Sequence, residues 1–197
     1  MENKTILEQY GAIVVPKILP LEFCHFFTHT LLRQAELNRG GDKQVPTALS
    51  ILVHDLFLET MQERVWPSLE DIIGEELLPT YSFSRLYSNG DELHKHRDRP
   101  SCEISVTIQL GRSHHYSWPI YVEGTRFDWA EGDGVVYLGE DVEHWRNKCD
   151  GPEGYYSGQL FMHFVRANGK HAEHFGDSTK RESFSYIKDR TIMMDRK

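Results

Sequence analysis

At 197 residues with a formal net charge of -8, the chain is long enough to bury one sizeable core and too acidic for a surface that wraps duplex nucleic acid. Hydrophobic residues make up 39% and aromatic residues 12%, which excludes global disorder. Cys24, Cys102 and Cys149 fit neither a disulfide framework nor a Cys-x-x-Cys metal pattern, and no stretch reaches the ~18 apolar residues of a membrane span. The amino terminus has no signal-peptide run, so the expectation is a cytoplasmic, non-membrane protein with a single domain over 1–197.

In chain order, Ile13-Val14-Val15 between Gly11 and Pro16 predicts a short buried strand. Cys24, Phe27, Leu31 and Leu32 recur near helical spacing, predicting a helix from Leu21 to about Leu37 that ends at Arg39-Gly40-Gly41-Asp42. A second helical pattern covers Ala48 to Val65, with His54 as a packing residue, and Pro67 breaks it; a third runs from Pro67 to Leu77. These elements make residues 1–79 a strand plus supporting helices.

After Pro79 the pattern turns to strands. Thr80–Tyr87 is aromatic and hydroxyl-rich, Ser88-Asn89-Gly90-Asp91 is a turn, and Glu103–Leu110 alternates polar and apolar residues with period two. Segments 117–123, 125–129, 134–138 and 158–166 add short strands between turns. This rhythm predicts a mainly β protein with flanking helices, a sandwich or jelly roll over 80–168, followed by a polar segment over 169–197.

Within Tyr87-Ser-Asn-Gly-Asp-Glu-Leu-His-Lys-His-Arg-Asp98, His96 and Asp98 leave one face of an extended strand, and His144 lies further along. Two imidazoles and a carboxylate make a facial triad that suits ferrous iron and leaves positions open for other ligands. His94 shares the parity of His96, so a His94/His96/His144 set suited to zinc stands as the alternative. The carboxylate favours His96/Asp98/His144, with His94 nearby and Arg99 and Glu103 flanking as a second layer or entrance pair.

With Tyr87-x-x-Gly90, His96-Arg-Asp98, Ser105–Leu110, Gly132-Asp133-Gly134 and His144 in place, the chain resembles the iron(II)- and 2-oxoglutarate-dependent dioxygenases, in particular the prolyl-4-hydroxylase-like branch. The resemblance spans about residues 79–168. It implies a double-stranded β-helix with supporting amino-terminal helices. It also implies O2-dependent hydroxylation of an unidentified substrate, a small molecule or protein side chain, with release of succinate and CO2.

Many relatives place Arg or Lys about ten residues after the second histidine to hold the far carboxylate of the cosubstrate. Here that count lands on Gly154, and Arg146, on the face of His144, is the expected replacement. Tyr87, Gln159 and His163 are the other expected cosubstrate contacts. Two rival readings accompany this one. A cupin-type metalloenzyme without 2-oxoglutarate would draw on Gly90, His96, Asp98 and Glu103; a non-catalytic jelly-roll sensor would keep the pocket without turnover.

Overall fold

The computed structural model describes residues 3–37, 40–53 and 55–177; His54, Arg39 and most of the carboxy-terminal polar segment lie outside them. Helix α1 (Asn3–Tyr10) leads into strand β1 (Ala12–Val15), and helix α2 (Leu21–Leu37) follows. Helix α1 has a single buried residue, Leu7, too little apolar periodicity to mark it in the sequence.

The region read as two helices over 48–77 is a strand and one helix. β2 (Ser50–Val53) pairs antiparallel with β3 (Leu77–Ser88), and α3 (Leu56–Ile73) starts at Asp55, whose carboxylate accepts from Phe57 N at 2.8 Å. A short apolar run such as Ile51-Leu52-Val53 satisfies helix and strand templates alike, and here the edge of β3 claims it. Pro67 does not break α3. Its ring points outward, while Leu58, Met61, Val65, Leu69, Ile72 and Ile73 form a continuous buried stripe across it. Burial of six large side chains, at ~1.5–3 kcal/mol each, outweighs the ~3 kcal/mol cost of an interior proline. Gly74, at φ 72, closes the helix in the left-handed region that favours glycine.

The remaining elements are β4 (Leu93–His96), a 3-10 turn (Pro100–Cys102), β5 (Ile104–Arg112), β6 (Ile120–Val122), β7 (Thr125–Phe127), β8 (Gly134–Tyr137), β9 (His144–Arg146) and β10 (Tyr156–Arg166). They form a six-stranded sheet in the order β1-β8-β5-β10-β3-β2 and a four-stranded sheet in the order β4-β9-β6-β7, every pair antiparallel. This is the jelly-roll core that the strand rhythm predicts, supported by the helices.

The period-two alternation decides what faces where. Leu160, Met162 and Phe164 of β10 join Val106, Ile108 and Leu86 in the core shared with α2 and α3. Ser157, Gln159, Phe161 and His163 take the opposite face, as do Tyr81, Phe83, Arg85 and Tyr87 of β3, in register Phe161↔Phe83 and Gln159↔Arg85. That second face carries the polar and ionisable groups of the barrel interior.

Candidate active site

Strands β4 and β9 pair His96 with His144, and the two imidazole rings stand 4.3 Å apart between centroids. Asp98 follows β4 and is tied to Gly139 O through its own N–H at 2.9 Å. Its Oδ1 lies 3.6 Å from His96 Nε2 and 3.5 Å from His144 Nε2. Gly139 permits this approach, since a Cβ there would stand 2.5 Å from Asp98 Oδ2 and 2.7 Å from Ser105 Oγ.

The tautomers follow from the partners. His96 Nδ1 sits 2.8 Å from His94 O and His144 Nδ1 sits 3.2 Å from Val142 O. A carbonyl only accepts, so each Nδ1 carries the proton and each Nε2 keeps its lone pair. Two lone pairs and a carboxylate oxygen then converge, and among the described residues only the Gln44 amide, with its Nε2 2.9 Å from His96 Nε2, relieves their repulsion unless a cation lies between them. Burial, then the neighbouring His144, lowers the His96 pKa, so a proton is a poor choice of cation. Burial would raise Asp98, but the His144, His163 and His96 imidazoles, which attract the carboxylate when they carry a second proton, outweigh it and hold the carboxyl at about 2. The donor set fits a divalent metal. Among the described residues two further groupings have suitable donors: Asp98/Cys102/His163, with one histidine and a thiol, and His171/Glu173/His174, where Glu173 stands 68% exposed.

His94 does not join the metal donors. The β4–β9 register slips between Leu93 and His96, so the i, i+2 rule fails there and the His94 side chain is 82% exposed beside Glu92. What His94 contributes is its carbonyl.

A cavity opens from the triad, lined by Gln44, Tyr81, Phe83, Arg85, Leu93, Tyr137, Phe161 and His163 along with the three donors. His163 is buried, and burial pushes its pKa down to about 4. Ser105 Oγ lies 3.0 Å from Asp98 Oδ2, 3.1 Å from Cys102 O and 2.9 Å from His163 Nδ1. The first two only accept, so the serine gives its proton to one of them and His163 donates its Nδ1–H to the serine. The remaining His163 Nε2 has no partner among the described residues. A bare lone pair repels a carboxylate, so as a cosubstrate contact His163 suits a donor-bearing group better than a carboxylate.

Arg85, absent from the sequence-level candidates, is 1% exposed and sits directly in the cavity wall. Its Nη1 donates to Tyr87 Oη at 2.7 Å, and its Nη2 pairs with Asp42 and donates to Gln44 Oε1 at 3.1 Å. Burial opposes the charge, but Tyr87 and Asp42 together raise the Arg85 pKa. The one advance signal was parity, since Arg85 shares the face of Tyr87.

Arg146 lies on the other side of Tyr87 and is 0% exposed. Its Nη1 donates to Trp118 O at 2.6 Å, and its guanidinium stacks over Trp118, Trp129 and Tyr87. The Nε and Nη2 groups have no partner, no carboxylate pairs with it among the described residues, and burial lowers its pKa. Arg146 is not part of the cavity wall as it stands.

Other expected contacts lie elsewhere. Gln159 spends its amide on Gln109 Oε1 at 2.6 Å and Ser157 Oγ at 3.0 Å, behind Phe161, and does not reach the cavity. Glu103 and Arg99 do not pair with each other: Glu103 holds Arg166 through Nη1 at 2.5 Å and through the backbone N–H at 2.9 Å, while Arg99 meets Asp177 at 2.8 Å and stacks over Tyr81. Glu103 is thereby withdrawn from any cupin-type metal set. All three cysteines are free and buried.

The sequence matches no family model and no curated protein. Solved structures with a similar fold include a prolyl-4-hydroxylase of Pseudomonas putida, 16% identical, with TM-score 0.63, covering 82% of this chain and 96% of that one. An oxidoreductase of the 2OG-Fe(II) oxygenase family from Burkholderia pseudomallei is 17% identical, with TM-score 0.64 and coverage of 85% and 90%. HygX from Streptomyces hygroscopicus, with nickel and 2-oxoglutarate bound, is 12% identical, with TM-score 0.62 and coverage of 83% and 86%. The chain has the double-stranded β-helix fold of these oxygenases. Identities this low speak for the fold, and the chemistry has to be argued from the residues. No helix among the described residues is long and apolar enough to cross a membrane.

Proposed function

We propose that the chain is an iron(II)- and 2-oxoglutarate-dependent oxygenase that hydroxylates a C–H bond of an as yet unidentified substrate. The observation that carries this reading is the convergence of two Nε2 lone pairs and one carboxylate oxygen at 3.5–3.6 Å, at the head of a buried interior rich in guanidinium. His96, Asp98 and His144 would hold the iron. With 2-oxoglutarate, it supplies oxidative decarboxylation by O2 to succinate and CO2, with one oxygen atom delivered to the substrate. HygX, a solved neighbour with this fold, carries nickel and 2-oxoglutarate, which supports the cofactor assignment.

The residues of this chain bind, orient and exclude water. Carbonyls of His94 and Val142 fix the imidazole tautomers, and Ser105 orients Asp98. Deeper in the barrel, Arg85 and Arg146 flank Tyr87 with their Cζ atoms 5.2 and 5.8 Å from its ring. Asp42 compensates one of these cations and, among the described residues, no carboxylate compensates the other, so this layer is one negative charge short. Tyr87 accepts from Arg85, which leaves its own proton to donate. A carboxylate received by Tyr87 O–H and the free N–H groups of Arg146 makes up the deficit. We assign the far carboxylate of the cosubstrate to this layer, with Leu93 and Phe161 yielding to admit it.

The test is anaerobic addition of iron(II) and then 2-oxoglutarate. A visible charge-transfer band is expected on the second addition, and succinate on admission of air. A protein that binds iron but develops no band with 2-oxoglutarate has the fold without the chemistry.

A further inference from the structure

The loop ahead of β2 carries Gln44 to the cavity mouth, between the two ends of the site. Its Oε1 accepts from Arg85 Nη2 at 3.1 Å, and its Nε2 stands 2.9 Å from His96 Nε2. A guanidinium only donates, so the amide oxygen must face Arg85 and the NH2 group must face His96. His96 has already committed its Nδ1–H to His94 O. Its Nε2 therefore has a single lone pair, and Gln44 takes it.

That lone pair is the one the iron site needs, and it serves one partner at a time. We propose that Gln44 is a positioning residue of the reaction: it cedes His96 to the metal and, still anchored through Oε1 on Arg85, presents its N–H donors to a carboxylate bound on the open side of the metal. The inference rests on the oxygenase reading above. The loop backbone is held independently of this exchange. Asp42 Oδ1 accepts from Gln44 N at 2.9 Å and Val45 N at 2.8 Å, and Thr47 Oγ1 donates to Asp91 Oδ1 at 2.5 Å. The switch therefore asks only for rotation of one exposed side chain. The chemistry also selects the ligand: an NH2 group beside a metal complements an anionic oxygen and gains nothing from an apolar neighbour.

Competition for His96 and support for the carboxylate act in opposite directions, and that makes the role measurable without turnover. Calorimetry with Mn2+ alone, then with 2-oxoglutarate on the Mn2+-loaded protein, reads the two constants separately. Gln44→Ala is expected to bind Mn2+ a few-fold more tightly and 2-oxoglutarate roughly tenfold more weakly, the size of one hydrogen bond to a charged group. Gln44→Glu, nearly the same shape, guards against a loop that fails to form in the alanine variant; it should bind Mn2+ more tightly still and 2-oxoglutarate more weakly. Two constants that stay put, or move in the same direction, in both variants overturn the role of Gln44. A wild-type protein that takes Mn2+ but no 2-oxoglutarate overturns the oxygenase reading instead.

Discussion

At one end of the barrel interior His96, Asp98 and His144 turn electron pairs towards one another; at the other, the guanidinium groups of Arg85 and Arg146 flank a single tyrosine, Arg85 donating to its hydroxyl and Arg146 lying over its ring. The first end is short of a cation and the second is short of an anion. A ligand that completes both must complement a metal at its head and carry a negative charge at its tail, a few ångströms deeper. 2-Oxoglutarate has that form. The contrast also separates two kinds of cost. The three donors of the triad are polar atoms whose repulsion a cation would relieve, whereas Arg146 is a buried charge whose desolvation is only partly returned by aromatic faces.

The comparison breaks most severely at the metal end. Asp98→Ala removes the one anionic donor and leaves two imidazoles, so Mn2+ or iron(II) binding by calorimetry should fall below detection while the circular dichroism of the fold persists. A gentler version acts through Gly139. A methyl group there meets the Cys102 carbonyl oxygen as well as Asp98 Oδ2, so Gly139→Ala should lower Tm and weaken metal binding by about 10–100-fold, as losses around metal ligands do. Unchanged affinity in Asp98→Ala would remove that carboxylate from the donor set.

At the deep end the two arginines should respond with opposite signs. Arg146→Met removes an uncompensated buried charge, so Tm should hold or rise, while affinity for 2-oxoglutarate on the Mn2+-loaded protein should drop by about 2–5 kcal/mol. Arg85→Met strands Asp42 without its ion pair and leaves the Gln44 amide oxygen without its donor, so Tm should fall. A larger loss of 2-oxoglutarate affinity in Arg85→Met than in Arg146→Met would move the far carboxylate onto Arg85.

These two ends differed equally in how far the sequence disclosed them. His96 and His144 meet because β4 pairs with β9, in a fold whose strands the period-two pattern reveals, and Asp98 joins them from just beyond β4, held by Gly139 O. The deep end depends on what the sequence leaves silent. Arg85 lay in view, two residues before Tyr87, yet its importance comes from Asp42 and Gln44, brought over by a loop whose neighbouring segment was read as helix. Gln159 shows the converse: its parity points inward, but Phe161 and the Gln109 amide divert it. His94 fails for a third reason, a slipped register that period two does not contain. Pro67 shows the limit of local rules, since a buried stripe overrides the strongest helix breaker.

A smaller effect tests the neighbour of the metal end. His163 is neutral in the fold, with a pKa lowered to about 4 against the usual 6.5. Above pH 6.5 neither the folded nor the unfolded histidine is charged, and the group contributes no pH dependence. Below 6.5 the unfolded state takes the proton and the folded state refuses it, so stability of the metal-free protein should decline with falling pH until about 4, at no more than ~1.4 kcal/mol per pH unit. Asp98 adds its own loss only lower, between its ordinary value and about 2. His163→Gln keeps a polar side chain and removes the titration, so urea unfolding followed from pH 7 to 4.5 should be flatter in the variant. Equal slopes would mean that His163 is charged, or reached by water, in the native barrel.

The smallest expected effect falls on His94, and its smallness carries the information. The His94 side chain stands in solvent, and only its carbonyl, the acceptor for His96 Nδ1, serves the site. His94→Ala keeps that carbonyl and the β4–β9 pairing, so metal and 2-oxoglutarate affinities should stay within about twofold of wild type, the scatter of surface substitutions. A substantial loss would mean that the register slip at Leu93–His96 relaxes in solution, that His94 returns to the face of His96, and that a three-imidazole site competes with the one containing Asp98.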